Sequence, residues 1–596
     1  MNYRNIALLI SLVLLVYLVA RAILVPLYVD EVFTFFFYIQ AGGFQPYFSQ
    51  LDANNHVLNS ALAHLSFLAF GDGPLALRAP NVLAFVMYLF FIFRFQRIFQ
   101  NNWLWFLCFL SMALCHYVFE FFQLCRGYGL SYGFLLGALF YLLMFKRNIR
   151  LKYCLSGLIM LSLALWSNLA TMVFVFVTGN MFGIIFIANF HFERDLRKAF
   201  AFVAIYTIAF LAPLGYAVKY TLHLQEAGRL YLGDSNGFWK DSVLSLVREL
   251  SDKHSWGVYF ILLFLGLYLA AWLRGTVKSG IIIKHVTLHL SVWVTVLGTI
   301  FLHHWKGVNY PVDRAAAHFI PLFLVSFYLL VDGMPRHWTK ALSGIPALVL
   351  GIHFLAVANL THTTHWKNEA ITEDIYVHML DWKKKNGRPP IISCDHFHNT
   401  VLAYYDLQHN GMLYGQELPN HPNINADFIL ALDEIQSVSD GLYDTIAYQE
   451  YNGLALLQRK TNQQWIQAAS FKINDGLYHE TFVSFGDISL LQYKLKEQFA
   501  VDISLLAKSP HFPVKWWFTV QVMNSNGAFI NAYSTNLQHG NSDLRNEQQI
   551  RIRQLIENLP SEASAARILI WNIEGKPLHI SNAEVTFLQA SNIHPQ

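Results

Sequence analysis

The feature that most constrains this chain is a series of apolar runs, each about twenty residues long, enough to cross a hydrocarbon core of about 30 Å. In lipid every backbone N–H and C=O must find its partner inside the segment, so each run has to be a helix. Eleven are read: residues 6–25, 79–98, 103–119, 128–145, 153–170, 172–190, 199–217, 256–274, 284–302, 315–332 and 341–358. No small-residue cleavage site follows the first run, so it is expected to be a retained anchor and not a removed signal peptide. Charged residues are only 13% of the chain, against about 25% in soluble domains, which excludes a wholly soluble protein. Aromatic residues reach 16%, which excludes a disordered one.

Charge is divided along the chain. Residues 1–360 hold 25 Lys and Arg against 14 Asp and Glu, a balance of +11; residues 361–596 hold 17 against 24, a balance of −7, and the two sum to the overall +4. In the first part the bases recur in alternate short loops: Arg4; Arg94 and Arg97; Lys146, Arg147, Arg150 and Lys152; Arg194, Arg197 and Lys198; Arg274, Lys278 and Lys284; Arg336 and Lys340. A cytoplasmic N-terminus puts all of them on the inner side. An odd number of spans then places 361–596 outside, in the periplasm if the membrane is a bacterial inner membrane. Two outer loops are long. In the first, His56–Phe70 is apolar but too short to span, which suits an interfacial or re-entrant helix; residues 219–255 also suit an interface. Four of five cysteines lie in apolar runs and Cys394 is alone in the second part, so no disulfide closes there. No basic aromatic stripe points to nucleic acid.

The second part has two periodicities. Residues 361–464 mix helix and strand, with helices over 373–386 and 399–408, strands at 391–395 and 428–432, and a hairpin over 443–459 turning at Asn452-Gly453. This predicts a small α/β domain. Over 465–596 the period becomes two, with strands at 500–506, 516–523, 529–534, 566–573 and 583–588. A β-sandwich of the jelly-roll kind is expected. Trp516 and Trp517 are adjacent, so alternation sends one into the core and the other to the surface, where an indole can stack on a sugar ring.

Polar residues at the edges of the apolar runs carry the chemical information. Asp30-Glu31 stand together after the first run, within Val29 and Val32-Phe33-Thr34-Phe35. Adjacent carboxylates repel, which favours a bound divalent metal or a division of roles by pKa; the bland reading is two solvated loop acids. Asp52-Ala53-Asn54-Asn55-His56 feeds the short apolar segment; helix capping explains one such residue, not five. Arg78, Glu120, Arg126-Gly127-Tyr128, His303-His304 and Tyr310…Asp313-Arg314 follow. By the topology above all lie on the outer side. Arg21, near the outer end of the first run, is expected to snorkel outward.

Taken in order, Asp30-Glu31, Asn54-Asn55-His56, Leu77-Arg78-Ala79-Pro80, Glu120 with Arg126-Gly127-Tyr128, and Tyr310-Pro311…Arg314 before a late run with Pro321 resemble a family. It is that of the integral-membrane GT-C glycosyltransferases of protein O-mannosyltransferase and lipid A aminoarabinose transferase type (glycosyltransferase family 39-like), over roughly residues 1–360. Relatives often carry His-Pro-Pro or Lys-Pro-Pro where this chain has Asn55-His56-Val57. The resemblance implies a polytopic helical enzyme with a polyprenyl-phosphate-linked sugar as donor and a glycan, lipid or protein acceptor on the outer face. It makes Asp30 the base on the acceptor hydroxyl, Glu31 an acceptor-holding group and Glu120 a further acid of the catalytic set. Arg78 and Arg314 would meet the lipid phosphate, with Asn54, Asn55, His56, Arg126, Tyr128 and His304 completing the substrate-binding set. A placed base contributes about 10²–10⁴-fold, and Arg grips a departing phosphate through paired hydrogen bonds. One carboxylate opposite the leaving group predicts inversion. A transporter or flippase of lipid-linked sugars is the alternative. It would show inverted repeats and midplane polar sites, and neither stands out.

Overall fold

Apolar runs fold as helices whose ends carry the polar residues. A computed structural model describes residues 2–189, 196–230, 233–277, 281–332, 343–410, 413, 421–432, 441–461, 463–493, 495, 498–511, 514–537 and 544–590. In chain order the first helices are α1 (Tyr3–Leu24), α2 (Val29–Thr34), α3 (Val57–Phe70), α4 (Pro74–Phe95), α5 (Asn102–Ala113), α6 (His116–Glu120), α7 (Gly127–Arg147) and α8 (Leu151–Ser167). Next come α9 (Met172–Asn189), α10 (Leu196–Tyr206), α11 (Ala212–Glu226), α12 (Ser245–Leu250), α13 (Trp256–Val277), α14 (Ile281–Lys306), α15 (Phe319–Asp332) and α16 (Gly344–Val357). π-helical turns follow α2 (Phe35–Ile39), join α10 to α11 (Thr207–Leu211) and precede α12 (Trp239–Leu244). The chain forms two compact units: Met1–Val25 with Phe37–His365, and Pro26–Phe36 with Trp366–Gln596.

Among the described residues of the first unit, six helical stretches are long and apolar enough to cross a membrane: Tyr3–Leu24, Pro74–Phe95, Gly127–Arg147, Leu169–Asn189, Leu196–Glu226 and His285–Lys306. A seventh is added if α5 and the segment His116–Gln123, bent by 59°, count as one. Among the described residues the other expected runs appear as the shorter apolar helices α8, α15 and α16 and as the apolar stretch Trp256–Ala270 of α13. α15 starts late because Asp313–Ala315 forms a 3₁₀ turn instead. The expected inner-loop residues Arg194, Lys278, Arg336 and Lys340 lie outside the described residues.

α7 is enclosed on nearly every side. Gly133 and Gly137 open the face that meets α4: an added Cβ would come within 2.6 Å of Met87 Cε and 2.7 Å of Phe91 Cε2. Small residues at four-residue spacing let a helix approach another's backbone, which is how spans associate without a hydrophobic drive between them. Contacts at helix ends show which ends share a face. The C-terminal ends of α1, α6, α8 and α16 meet the N-terminal ends of α4 and α7 through the polar groups described below. At the opposite end, Asp332 closing α15 accepts from the N–H groups of Gln100 (2.7 Å) and Asn101 (2.9 Å) between α4 and α5. Tyr3 there packs on Trp103, 5.5 Å between ring centres.

In the second unit, α17 (Glu373–Asn386) and α18 (His396–His409) accompany the sheet β1 (Ile392–Ser393), β2 (Phe428–Ala431), β3 (Tyr443–Gln449) and β4 (Leu454–Arg459), ordered β1-β2-β4-β3. α17 ends at Gly387 in the left-handed region (φ +66°), the C-cap that glycine favours. The remaining strands are β5 (Trp465–Ile473), β6 (Gly476–Tyr478), β7 (Phe482–Ser489), β8 (Phe499–Lys508), β9 (Trp516–Asn524), β10 (Phe529–Asn536), β11 (Gln548–Ile556), β12 (Ala563–Asn572) and β13 (Leu578–Ala590). They form two antiparallel sheets, β10-β9-β12-β7 and β11-β8-β13-β5, with β6 on β13. One core of buried residues from both, including Trp516, Phe518, Ile503 and Phe587, lies between them, as in a β-sandwich.

Candidate functional site

Arg21 sits in the last turn of α1 and is fully buried. Its guanidinium donates to Glu120 Oε1 (2.7 Å), Tyr17 Oη (3.1 Å), the carbonyls of Asn359 (2.5 Å) and His362 (2.8 Å), and Gln123 Oε1. The expectation that Arg21 snorkels outward is thereby overturned. A carboxylate one helix away offers what headgroups would, and the surrounding carbonyls satisfy the other donors. Glu120, equally buried, also accepts from Thr364 N–H (3.1 and 3.3 Å). His116 Nε2 lies 3.7 Å and His365 Nε2 4.0 Å from it.

His365 continues the network by pairing through Nδ1 with Glu249 Oε2. Burial works against its imidazolium, yet the hydrogen bond to Glu249 and the charges of Glu120, Glu249 and Asp252 outweigh this and hold its pKa above the usual value. Burial likewise disfavours the Glu249 carboxylate. The His365 hydrogen bond and charge, with Lys253, prevail and hold Glu249 below its ordinary range. Beside them His353 Nε2 meets Asp252 Oδ2 at 2.8 Å. Sequence reading named neither Arg21, Glu249 nor His365 for this site. A charged residue inside an apolar run was the available signal for Arg21; nothing local marked the others, 129 and 245 positions from Glu120 by number.

A second buried cluster unites five expected residues. Arg126 donates to the Asn54 carbonyl (3.3 Å) and to its Oδ1. His56 donates from Nδ1 to the Ser167 carbonyl (2.7 Å) and meets Tyr128 edge-on, 4.8 Å between ring centres. Asn55 donates to the Phe44 carbonyl (3.1 Å) and accepts from Ser60 (3.0 Å). Gly127 makes this possible: a Cβ there would lie 1.8 Å from the Ser167 oxygen and 2.8 Å from His56 Nδ1. Asn81, which sequence reading passed over, donates to Asn59 Oδ1 (2.6 Å) and accepts from Leu130 N–H (3.2 Å). Arg78, fully buried on α4, donates to the carbonyls of Val25 (2.7 Å) and Ala22 (3.2 Å) at the end of α1.

Four expected residues are placed differently. His304 is exposed near the end of α14, in ring contact with His303 (5.3 Å). Arg314 is half-buried on the turn after Val312, which is tied to α12's first residue by Asp313 N–H to Ser245 Oγ (3.0 Å). Asp30 and Glu31 belong to the second unit, on the first turn of α2, where the helix dipole favours negative charge. Glu31 is buried and its Oε2 accepts from Tyr28 N–H (3.2 Å), closing the helix start. Asp30 is half-buried. The pair is therefore not two solvated loop acids. Among the described residues no three His, Cys, Asp or Glu side chains converge to hold a metal ion.

On the sandwich, Trp516 is in the core and Trp517 faces outward. Trp517 opposes Trp571, which opposes Phe482, with ring centres 6.4 and 5.9 Å apart. The three rings form a cross-strand row on the outer face.

Long apolar helices with buried polar ends define an integral membrane protein of the polytopic helical class, carrying a C-terminal α/β and β-sandwich unit. No family model and no curated protein matches the chain. Among solved structures it is similar to ArnT from Cupriavidus metallidurans, at 10% identity: in the apo state, covering 77% of this chain and 98% of that one with a TM-score of 0.46, and bound to undecaprenyl phosphate, covering 76% and 98% with a TM-score of 0.47. It is similar too to arabinosyltransferase EmbB from Mycobacterium smegmatis, at 9% identity over 97% of this chain and 64% of that one, TM-score 0.38. TM-scores below 0.5 leave the chemistry to be argued from the residues themselves.

Proposed function

We propose that the protein is an inverting glycosyltransferase that moves a sugar from a polyprenyl-phosphate donor to an acceptor on the periplasmic face of a bacterial inner membrane. The observation that carries this reading is the buried polar end of the helical unit: Arg21, Arg78, Glu120 and Arg126 are all buried, among amides and histidines, in a chain otherwise apolar there. Charges inside a membrane bundle are costly and mark function. A donor with an apolar tail, an anionic phosphate and a polyhydroxyl sugar needs this combination of greasy helices, fixed cations and amide donors.

In the proposed reaction the Asp30 carboxylate takes the acceptor hydroxyl proton as the oxygen attacks the anomeric carbon. The glycosidic bond to phosphate breaks, and polyprenyl phosphate leaves with the electron pair. Arg78 and Arg314 are assigned to the leaving phosphate, Glu31 to the acceptor, Glu120 to the catalytic set, and Asn54, Asn55, His56, Arg126, Tyr128 and His304 to the sugar. A divalent metal is not required by these roles. Eleven spans with a cytoplasmic N-terminus belong to the same reading, as does acceptor binding by the sandwich through Phe482, Trp571 and Trp517.

Purified full-length protein in detergent, given a panel of polyprenyl-phosphate sugars and an envelope extract, should release polyprenyl phosphate, and Asp30→Asn should abolish release while its thermal unfolding stays as in the parent. Release by Asp30→Asn at the parental rate would remove Asp30 as the base. Lipid-linked sugar movement in proteoliposomes without any release in detergent would favour the flippase alternative.

A further inference from the structure

We infer that α18 of the second unit positions Asp30: the acid-bearing helix is held by the C-terminal unit, and Tyr404 is the positioning residue. The inference rests on the proposed role of Asp30 and adds what sets that role up. Sequence order puts Asp30 in the first outer loop of the helical unit, yet Pro26–Phe36 is part of the other compact unit. α2 is six residues long, too short to be stable by itself, so its direction is set by what it packs on. It packs against α18. Phe35, completely buried, meets Tyr404 of α18 edge-to-face, 6.1 Å between ring centres at 90°. At the start of α2, Tyr28 lies 6.3 Å from Trp366, ring to ring. Leu27, Tyr28, Val32 and Phe36 are buried as well.

Inside α2 two side-chain bonds make the turn rigid. Glu31 Oε2 accepts from Tyr28 N–H (3.2 Å), and Thr34 Oγ1 donates to the Asp30 carbonyl (2.7 Å). The Asp30 carboxylate therefore moves with α2 as one body, and α2 moves with α18. Where the chain returns to the first unit, between Phe36 and Phe37, it runs through the π-helical turn Phe35–Ile39, a conformation that is rare and concentrated at functional positions. A base misplaced by about 1 Å loses about 10²-fold in rate, so a contact that only aims α2 has a large kinetic effect without touching substrate.

The test uses full-length protein in detergent micelles. Tyr404→Ala is expected to lower kcat about 10²-fold with the donor KM unchanged, and to speed amide hydrogen exchange over residues 28–36 but not over α4 or α7. Tyr404→Phe keeps the ring and should restore both. Tyr443→Ala, which removes a buried tyrosine of the same unit remote in sequence from α2, should leave both readings as in the parent. If Tyr404→Ala fails to fold, Phe35→Leu loosens the same contact from the other side and is read the same way. Parental exchange over 28–36 together with parental kcat in these variants overturns the inference, even where Asp30→Asn is inactive. An active Asp30→Asn protein instead overturns the base assignment, and the exchange measurement then decides separately whether α18 holds α2.

Discussion

Replacing Arg21 with Met separates a buried structural cation from one that reaches the membrane surface. Met keeps much of the apolar stem and removes the guanidinium. Glu120 then loses its 2.7 Å ion pair while remaining almost fully buried, and the carbonyls of Asn359 and His362 lose a charged donor. Breaking one side of a buried pair costs about 3–5 kcal/mol, which is about 10²–10⁴ in the folding equilibrium. An arginine that snorkels to headgroups would cost far less on replacement, of the order of a surface contact, under about 1 kcal/mol. Glu120→Gln in the Arg21→Met background removes the stranded carboxylate, so the double variant should lose less than the sum of the single losses, by about 2 kcal/mol. Reversible unfolding of the purified protein in mixed micelles, followed by tryptophan fluorescence, measures all four corners of the cycle. A loss below about 1 kcal/mol for Arg21→Met, or losses additive to within about 0.5 kcal/mol, would refute the buried pairing.

Gly127→Ala places a methyl 1.8 Å from the Ser167 oxygen. Overpacking of about 1–3 kcal/mol or more is expected, with the His56–Ser167 bond broken, read as a lower unfolding temperature and weaker donor binding. The His365–Glu249 pair should give stability a pH window. His365, its pKa raised above 6.5, contributes fully below that value and loses the contribution as pH climbs through the raised one; Glu249, lowered below 4.5, contributes fully above 4.5 and loses it as pH falls further. The difference in unfolding temperature between parent and His365→Gln should therefore be largest between about pH 4.5 and 6.5, and a difference independent of pH would contradict the pairing. Trp516→Ala should cost about 3–5 kcal/mol as a core truncation, whereas Trp571→Ala on the outer row should leave unfolding unchanged and raise the acceptor KM, measured by transfer kinetics at saturating donor.

What could be read in the sequence follows the range of the physics. Helices set by a local period were legible: α17 has the expected bounds, and the hairpin β3–β4 turns where Asn452-Gly453 stands. Of the sandwich strands that escaped, β5, β7 and β11 lie at sheet edges, where charges and interruptions such as Arg551, Arg553 and Gly486 blunt the alternation, and β6 is only three residues long. Five members of the buried polar cluster, Asn54, Asn55, His56, Arg126 and Tyr128, were legible as polar residues set apart because a dense polar patch in an apolar chain stands out by composition. Ser167, whose carbonyl His56 meets, and Asn81, which pairs with Asn59, were not, since a backbone carbonyl and one more asparagine carry no local mark. Arg21 was misread because its partner Glu120 lies 99 positions away, and only folding brings a cation and an anion that far apart in sequence to one depth.

The acid pair shows how two adjacent carboxylates come to face different surroundings. Repulsion between neighbours favours a bound divalent metal or role-splitting by pKa; the backbone by itself already sets the two side chains apart. Side chains one residue apart on a helix point about 100° apart, so Glu31 turns in to close the helix start on Tyr28 N–H while Asp30 stays half-buried. The dipole of α2 favours both charges at once. Exchanging the two residues, Asp30→Glu with Glu31→Asp, keeps the charge and the dipole but shortens the capping side chain by one methylene. If Glu31 acts through the cap, the swapped protein should show faster exchange at Tyr28–Val32 and a lower kcat. Glu31→Gln, which can still accept from Tyr28 N–H through its carbonyl oxygen, should keep α2 protected. Equal exchange in parent, swap and Glu31→Gln proteins would show that the cap does not order α2, and would leave Glu31 only the acceptor-holding role proposed above.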